Sequence, residues 1–274
     1  ITKNITGVAA SVITGNLTFP FTLTCPGTVG SPFSGTVTVN AGTLTGNSAV
    51  INVPAGATNC VILEGTQPTA PTNYTWGSPS YTQPPATLPA SGTAAGTINN
   101  PLNLNPPNIT VTKTITSAGI ASPVQYLVTV TNSGGPGTYT LTDTPLLGSG
   151  VTLGTVTCAN TTAPAAGGTP NCAGAAPYSL AAAGTAIAGG ASHTYTVSIP
   201  FTVTNAVTPT VGSALCPVTT PTTNAGGLNN ATTVTPNSGN AQTVNVCRDI
   251  TPNAPVITVT KTITSAGIAS PVQY

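Results

Sequence analysis

The chain has 274 residues and only seven formal charges, four basic and three acidic, far below the roughly one-quarter of an average soluble domain. The basic residues are scattered at Lys3, Lys113, Arg248 and Lys261, so no patch neutralises a row of phosphates or holds an anionic membrane, and nucleic-acid binding is excluded. No apolar run reaches the ~18 residues that cross a bilayer, so these residues read as soluble. They show no signal peptide or anchor, and the expectation is a mature product or a piece of a longer chain.

Glycine (30) and proline (27) are abundant enough to raise disorder as an option, but the alternation of residues argues for strands. Taken in chain order, Leu17-Thr-Phe-Pro-Phe-Thr-Leu-Thr-Cys25, Gly35-Thr-Val-Thr-Val39, Ile109-Thr-Val-Thr-Lys-Thr-Ile115 and His193-Thr-Tyr-Thr-Val-Ser-Ile199 place a bulky residue at every second position with Thr or Ser between. That period of two predicts strands. Turn clusters such as Ser133-Gly-Gly-Pro-Gly137 separate the runs, and no long window carries a helical apolar stripe. The predicted class is all-β, as tandem immunoglobulin-like β-sandwich domains.

Six cysteines, an even number without a C-x-x-C pair, stand at Cys25, Cys60, Cys158, Cys172, Cys216 and Cys247. With one histidine and few acids to complete a shell, disulfides are expected rather than a metal, and hence an oxidising compartment; no cofactor is expected. Cys25 shares the face of Leu17, Phe19, Phe21 and Leu23, and Cys60 that of Ile62, so these two pair across one core. In the second half, Cys158–Cys172 and Cys216–Cys247 are read as loop closures, among the pairings that four cysteines allow.

The eighteen residues Ile109 to Tyr126 recur unchanged as Ile257 to Tyr274, 148 positions on. That period fits a whole sandwich rather than a solenoid unit of ~20–50 residues. Stretches rich in Pro and Asn precede both copies, Pro101 to Asn108 and Thr251 to Pro255, and read as short, fairly stiff linkers. The expected division is a domain at 1–105, a second at 106–256, and a segment 257–274 that opens a further repeat of a tandem array or is donated as a strand to a neighbour.

Three lysines share one setting: Ile1-Thr-Lys3-Asn-Ile5, Val111-Thr-Lys113-Thr-Ile115 and Val259-Thr-Lys261-Thr-Ile263. Residues two apart share a strand face, so each Lys points where its apolar neighbours point, inward. A buried ammonium needs a partner. Glu64 lies on the face of Cys60 and Ile62, and Asp143 on that of Tyr139 and Leu141. Asn100 sits on the parity of Ile98 and Leu102, and Asn230 on that of Leu228 and Val234. Lys, acid and Asn recur in that order. Burial can leave an acid protonated and an amine neutral and nucleophilic. The amine then attacks the Asn carboxamide while the acid shuttles protons, releasing ammonia and leaving an isopeptide bond between first and last strands. The competing reading is a buried ion pair with Asn as a hydrogen-bonding bystander.

These residues carry a resemblance. Residues 1–102 resemble a Cna protein B-type domain of bacterial surface proteins in its variant with a Cys pair, through Thr2-Lys3, Asn59-Cys-Val-Ile-Leu-Glu64, Pro71-Thr-Asn-Tyr-Thr-Trp76 and Thr97-Ile-Asn-Asn100. The resemblance implies a cross-link made by Lys3, Glu64 and Asn100, with Asn99 the alternative. Residues 109–256 resemble the conserved repeat domain found in tandem in bacterial and archaeal surface proteins. The carriers are Val111-Thr-Lys113, Gln125-Tyr126, Val130-Thr-Asn132-Ser-Gly134, Leu141-Thr-Asp143-Thr-Pro145 and Asn230-Ala-Thr-Thr-Val234. There Lys113, Asp143 and Asn230 are the corresponding set, with Asn229 the alternative and Lys261 the lysine of the next repeat. The Cys158–Cys172 loop and the segment around Cys216 look like insertions.

The expected function is an extracellular, cell-surface structural filament or adhesin stalk whose partners are neighbouring repeats or subunits of the same protein. A ligand-binding adhesin module is the alternative. A secreted hydrolase fails for want of acids and histidines, so no enzyme is expected. A Ser-His-Asp site of His193 with Asp143 lacks a nucleophile elbow, leaving His193 structural. Trp76 beside Tyr74 reads as core rather than a sugar platform. Sequons at Asn4, Asn16, Asn73, Asn108, Asn160 and Asn230 follow from composition, and exposed Thr would permit glycans.

Overall fold

The computed structural model describes residues 1–162, 166–204, 210–217, 224–250 and 259–262. Its strands in chain order are β1 (Thr2–Thr6), β2 (Leu17–Thr24), β3 (Phe33–Val39), β4 (Thr45–Asn47), β5 (Val61–Glu64), β6 (Tyr74–Trp76), β7 (Ser80–Thr82) and β8 (Thr97–Leu104). After a Pro/Asn linker come β9 (Ile109–Ile115), β10 (Val124–Asn132), β11 (Gly137–Pro145), β12 (Val151–Leu153), β13 (Thr157–Asn160), β14 (Tyr178–Ile187), β15 (Ser192–Ile199), β16 (Phe201–Val203), β17 (Asn230–Pro236) and β18 (Gln242–Val246). The chain is all-β, in two successive sandwiches.

Among the described residues every strand pair joins strands on the same side of the linker. In the first sandwich, β4, β1, β8 and β6 form one sheet with β7 also on β8, and β3, β2 and β5 form the other. Alternation sets the faces: Phe21 and Leu23 from β2, Cys25 just after it and Ile62 from β5 bury against Ile98 of β8, while Phe19 and Val39 meet Ile5 and Leu102. Thr residues take the outer positions. The first and last strands, β1 and β8, lie side by side and parallel, with Lys3 opposite Ile98 and Ile5 opposite Asn100.

The second sandwich packs the sheet β13-β15-β10-β9 on the sheet β14-β11-β17-β18, with β12 and β16 as a small ribbon. Tyr126, Val128, Tyr195 and Val197 of one sheet bury against Tyr139, Leu141, Leu180 and Val234 of the other. Here Asn230 does not fall on the last described strand, where a tie between first and last strands would have it. Asn230 opens β17, the penultimate strand, and β18 follows it as an edge. The physical cause is a C-terminal hairpin, in which β18 pairs with β17 from Asn230↔Val246 to Val234↔Gln242.

All three disulfides join the cysteines as read from the sequence: Cys25–Cys60, Cys158–Cys172 and Cys216–Cys247. The linker is bonded rather than loose. Pro106 O accepts from Gly135 N at 3.1 Å and Asn108 O from Ser133 N at 3.0 Å. The buried Asn132 accepts Asn108 N at 3.0 Å and donates to Gly135 O at 2.7 Å. A β-carbon on Gly134 or Gly135 would lie 2.1 Å from Pro106 O or Asn105 O. Of the second copy, residues 259–262 are described, with Lys261 exposed there. The rest of 257–274, and with it the choice between further repeat and donated strand, lies outside the described residues.

Candidate cross-link centres

In the first sandwich, β1 carries Lys3, β5 carries Glu64 and β8 carries Asn100 into one core. Lys3 Nζ donates to Glu64 Oε1 at 2.5 Å, and Asn100 Nδ2 donates to Glu64 Oε2 at 2.8 Å. Both the lysine and the carboxamide are fully buried. The ammonium also stands 4.3 Å from the centre of the Phe19 ring, which offers it a π face in place of water. Burial pushes the Lys3 amine below the usual lysine range, against the hydrogen bond and charge of Glu64. Asn99 points elsewhere, accepting Asn4 Nδ2 at 2.9 Å, so Asn100 is the member of the doublet at the centre.

The second sandwich repeats the arrangement across its two sheets. Lys113 on β9 donates to Asp143 Oδ1 on the facing β11, and Asn230 Nδ2 on β17 donates to Asp143 Oδ2 at 2.9 Å. Thr232, two residues beyond Asn230, accepts from Lys113 Nζ at 2.8 Å and donates to Asp143 Oδ1 at 2.5 Å. The Tyr126 ring lies 5.0 Å from the amine. Burial lowers the Lys113 amine to about 8, with the charge and hydrogen bond of Asp143 pulling the other way. Asn229 is also buried but donates to Asn224 O at 2.9 Å and accepts from Asn245 Nδ2 at 3.0 Å, so it is not the residue at Asp143.

Sequence reasoning missed Thr232, although its signal was present: it shares the parity of Asn230 and Val234. A hydroxyl in a Thr-rich strand reads as the solvent face. The end of β17 is instead buried on both faces, so Asn229, Asn230, Ala231 and Thr232 all lie inside.

One polar atom in each centre lacks a partner. Asn100 Oδ1 and Asn230 Oδ1 are buried without a hydrogen-bond donor, which costs about 1–3 kcal/mol for such an atom. Chemically, each centre holds an amine, a carboxyl and a carboxamide with both carboxyl oxygens engaged, one by the amine and one by the amide. No group of three or more His, Cys, Asp and Glu gathers among the described residues.

The weaker signals resolve as packing. Trp76 donates Nε1 to Pro68 O at 2.7 Å and meets the Phe19 ring edge-on at 5.4 Å. His193 is buried away from Asp143 and contacts Tyr139 Oη at 2.7 Å. Counting hydrogens fixes its tautomer. The single Tyr195 hydroxyl proton goes to Gly167 O at 2.7 Å, so Tyr139 donates to Tyr195 at 2.5 Å, and His193 Nδ1–H must donate to Tyr139. Among the sequons, Asn16 is exposed and Asn230 is sealed in the second centre.

Residues 1–102 match the model of a family described as Domain of unknown function (DUF5979). The match covers the whole first sandwich up to Leu102 on β8, including Lys3, Glu64 and Asn100. No curated protein matches the chain.

Proposed function

We propose that the protein is an extracellular structural element, a length of filament or adhesin stalk at a cell surface. Its sandwiches are welded internally by isopeptide bonds from Lys3 to Asn100 and from Lys113 to Asn230. The observation that carries this reading is the recurrence of one buried constellation in two differently wired sandwiches, in a chain that has almost no other charge.

Polar bookkeeping favours the product. In the unreacted centre a proton passes from ammonium to carboxylate, leaving a neutral amine beside a neutral acid. Nζ attacks the Asn Cγ, and the carbonyl electron pair moves onto Oδ1, where the carboxyl proton supports it. As the Cγ–Nδ2 bond breaks, nitrogen leaves as ammonia with a proton taken from Nζ through the carboxyl group. The product amide has one N–H and one C=O to set against the acceptor and donor of a neutral carboxyl group. A burdensome charge pair and an orphaned amide oxygen are replaced by a closed set of hydrogen bonds.

A welded sandwich transmits tension without unravelling between its tied strands. A near-neutral Thr/Asn surface lacks charges for salt or pH to act on, and three disulfides suit an oxidising exterior. Its partners are neighbouring copies of the same kind of unit, since the repeated segment from Ile257 restates the opening of the second sandwich. Protease digestion of the reduced protein followed by tandem mass spectrometry tests the bonds. Branched peptides joining Lys3 to Asn100 and Lys113 to Asn230 are expected, whereas linear peptides carrying free Lys and intact Asn would refute the reading.

A further inference from the structure

Thr232 is fully buried on β17 and touches two of the groups that react in the second centre. Its Oγ1 accepts from Lys113 Nζ at 2.8 Å and passes its own hydrogen to Asp143 Oδ1 at 2.5 Å. The first centre has no counterpart: the position two beyond Asn100 is Leu102, and Lys3 Nζ rests on Glu64 and the Phe19 ring. We propose that Thr232 is a catalytic residue of the second centre, relaying the ammonium proton to Asp143 and holding the Lys113 amine for attack on Asn230. The inference rests on the cross-linking reading above.

The relay balances. Thr232 Oγ1 takes one proton from Lys113 Nζ as its own proton moves to Asp143 Oδ1, so the hydroxyl is unchanged while ammonium and carboxylate become amine and acid. The freed amine keeps two hydrogens. The transfer leaves the lone pair facing Thr232; a turn about Cε–Nζ and of the hydroxyl then sets the two N–H groups on Thr232 Oγ1 and Asp143 Oδ1 and frees the lone pair for Asn230. Without the hydroxyl only one direction is claimed, and the amine turns about its Cε–Nζ bond. The direct contact of Lys113 with Asp143 remains, so the loss is smaller than the 10²–10⁴-fold of a whole general acid or base.

The test uses the full chain made in a short cell-free pulse and chased for increasing times. After reduction and digestion, the branched Lys113–Asn230 peptide is measured against the branched Lys3–Asn100 peptide of the same molecules, which serves as an internal clock. Thr232→Val should slow the second bond about tenfold relative to the first, and Thr232→Ser should restore it to within about twofold. In an aliquot digested without reduction, formation of Cys158–Cys172 and Cys216–Cys247 reports that the variant sandwich has folded. Should Val be refused by the core, Thr232→Ala gives the same comparison, and Thr232→Ser decides alone, since a slow Ser variant overturns the proposal. Equal rates in Thr232→Val and wild type also overturn it. Absence of the branched Lys113–Asn230 peptide from the wild type would instead strike the cross-linking reading itself.

Discussion

Lys113 faces Asp143, Thr232, Asn230 and the Tyr126 ring, and no water-exposed route relieves its charge. Its amine sits at about 8 rather than near the usual lysine value because burial outweighs the attraction of Asp143. Asn230→Ala keeps that amine but removes the group it attacks. In this variant the folded state gives up the Lys113 proton at about 8, whereas the unfolded chain holds it to about 10.4. The unfolded state therefore binds more protons across that window, and stability rises as pH climbs from about 8 to about 10.4. Thermal melts of Asn230→Ala should show this rise, and wild type should lack it if Lys113 is held in the proposed amide, which does not titrate. At the other buried network, Tyr139→Phe strands His193 Nδ1–H and leaves the Tyr195 oxygen without its donor. A loss of about 1–3 kcal/mol is expected, read by urea unfolding.

At the level of strands and loops, parity along Thr-rich segments was enough to read class, inward faces and the lysine settings. Every second residue is buried from Phe19 to Leu23 in β2, from Ile109 to Lys113 in β9 and from His193 to Ile199 in β15. The cysteine pairs were also legible, because Cys25 and Cys60 continue faces already fixed by Phe21 and Ile62. What escaped was non-local. The hairpin of β17 and β18 places Asn230 on the next-to-last described strand, with Thr232 buried on the same face as Asn230 and Val234. The choice of Asn100 over Asn99 likewise follows from which member of the doublet faces Glu64. The proposed tie from Lys3 to Asn100 would enclose Cys25–Cys60. By loop closure the disulfide is worth about 3–4 kcal/mol in an otherwise open chain, and less once the outer tie has already restricted the unfolded state. Replacing both cysteines by Ala should therefore cost more in an Asn100→Ala background than in wild type, measured as a four-member cycle of urea midpoints.

Over the molecule, six of the seven formal charges gather at three places, and Lys261 is the seventh. Lys3 with Glu64 and Lys113 with Asp143 occupy the two centres. Arg248 and Asp249 fasten the exit from the second sandwich: Arg248 Nη1 donates to Ser117 O at 2.9 Å and also to Gly119 O, and Asp249 Oδ1 accepts Cys216 N at 2.7 Å. Cys216–Cys247 joins the same place. The proposed second tie would stop at Asn230, the first residue of the C-terminal hairpin, so this exit holds the chain beyond it. If the proposed tie is in place, a second sandwich pulled between Ile109 and Ile250 can release only the residues before Lys113 and after Asn230, about 80 Å of chain at most, against about 330 Å for an untied one whose two disulfides stay closed. Force spectroscopy on Cys216→Ser/Cys247→Ser should show the short step at lower force than in wild type, and Asn230→Ala should show the long one. The most direct measurement remains the mass of the intact, fully reduced chain. Two completed bonds release two molecules of ammonia, and the account predicts a mass about 34 Da below that of the sequence, about 17 Da per amide formed. A chain at its full sequence mass would contradict it.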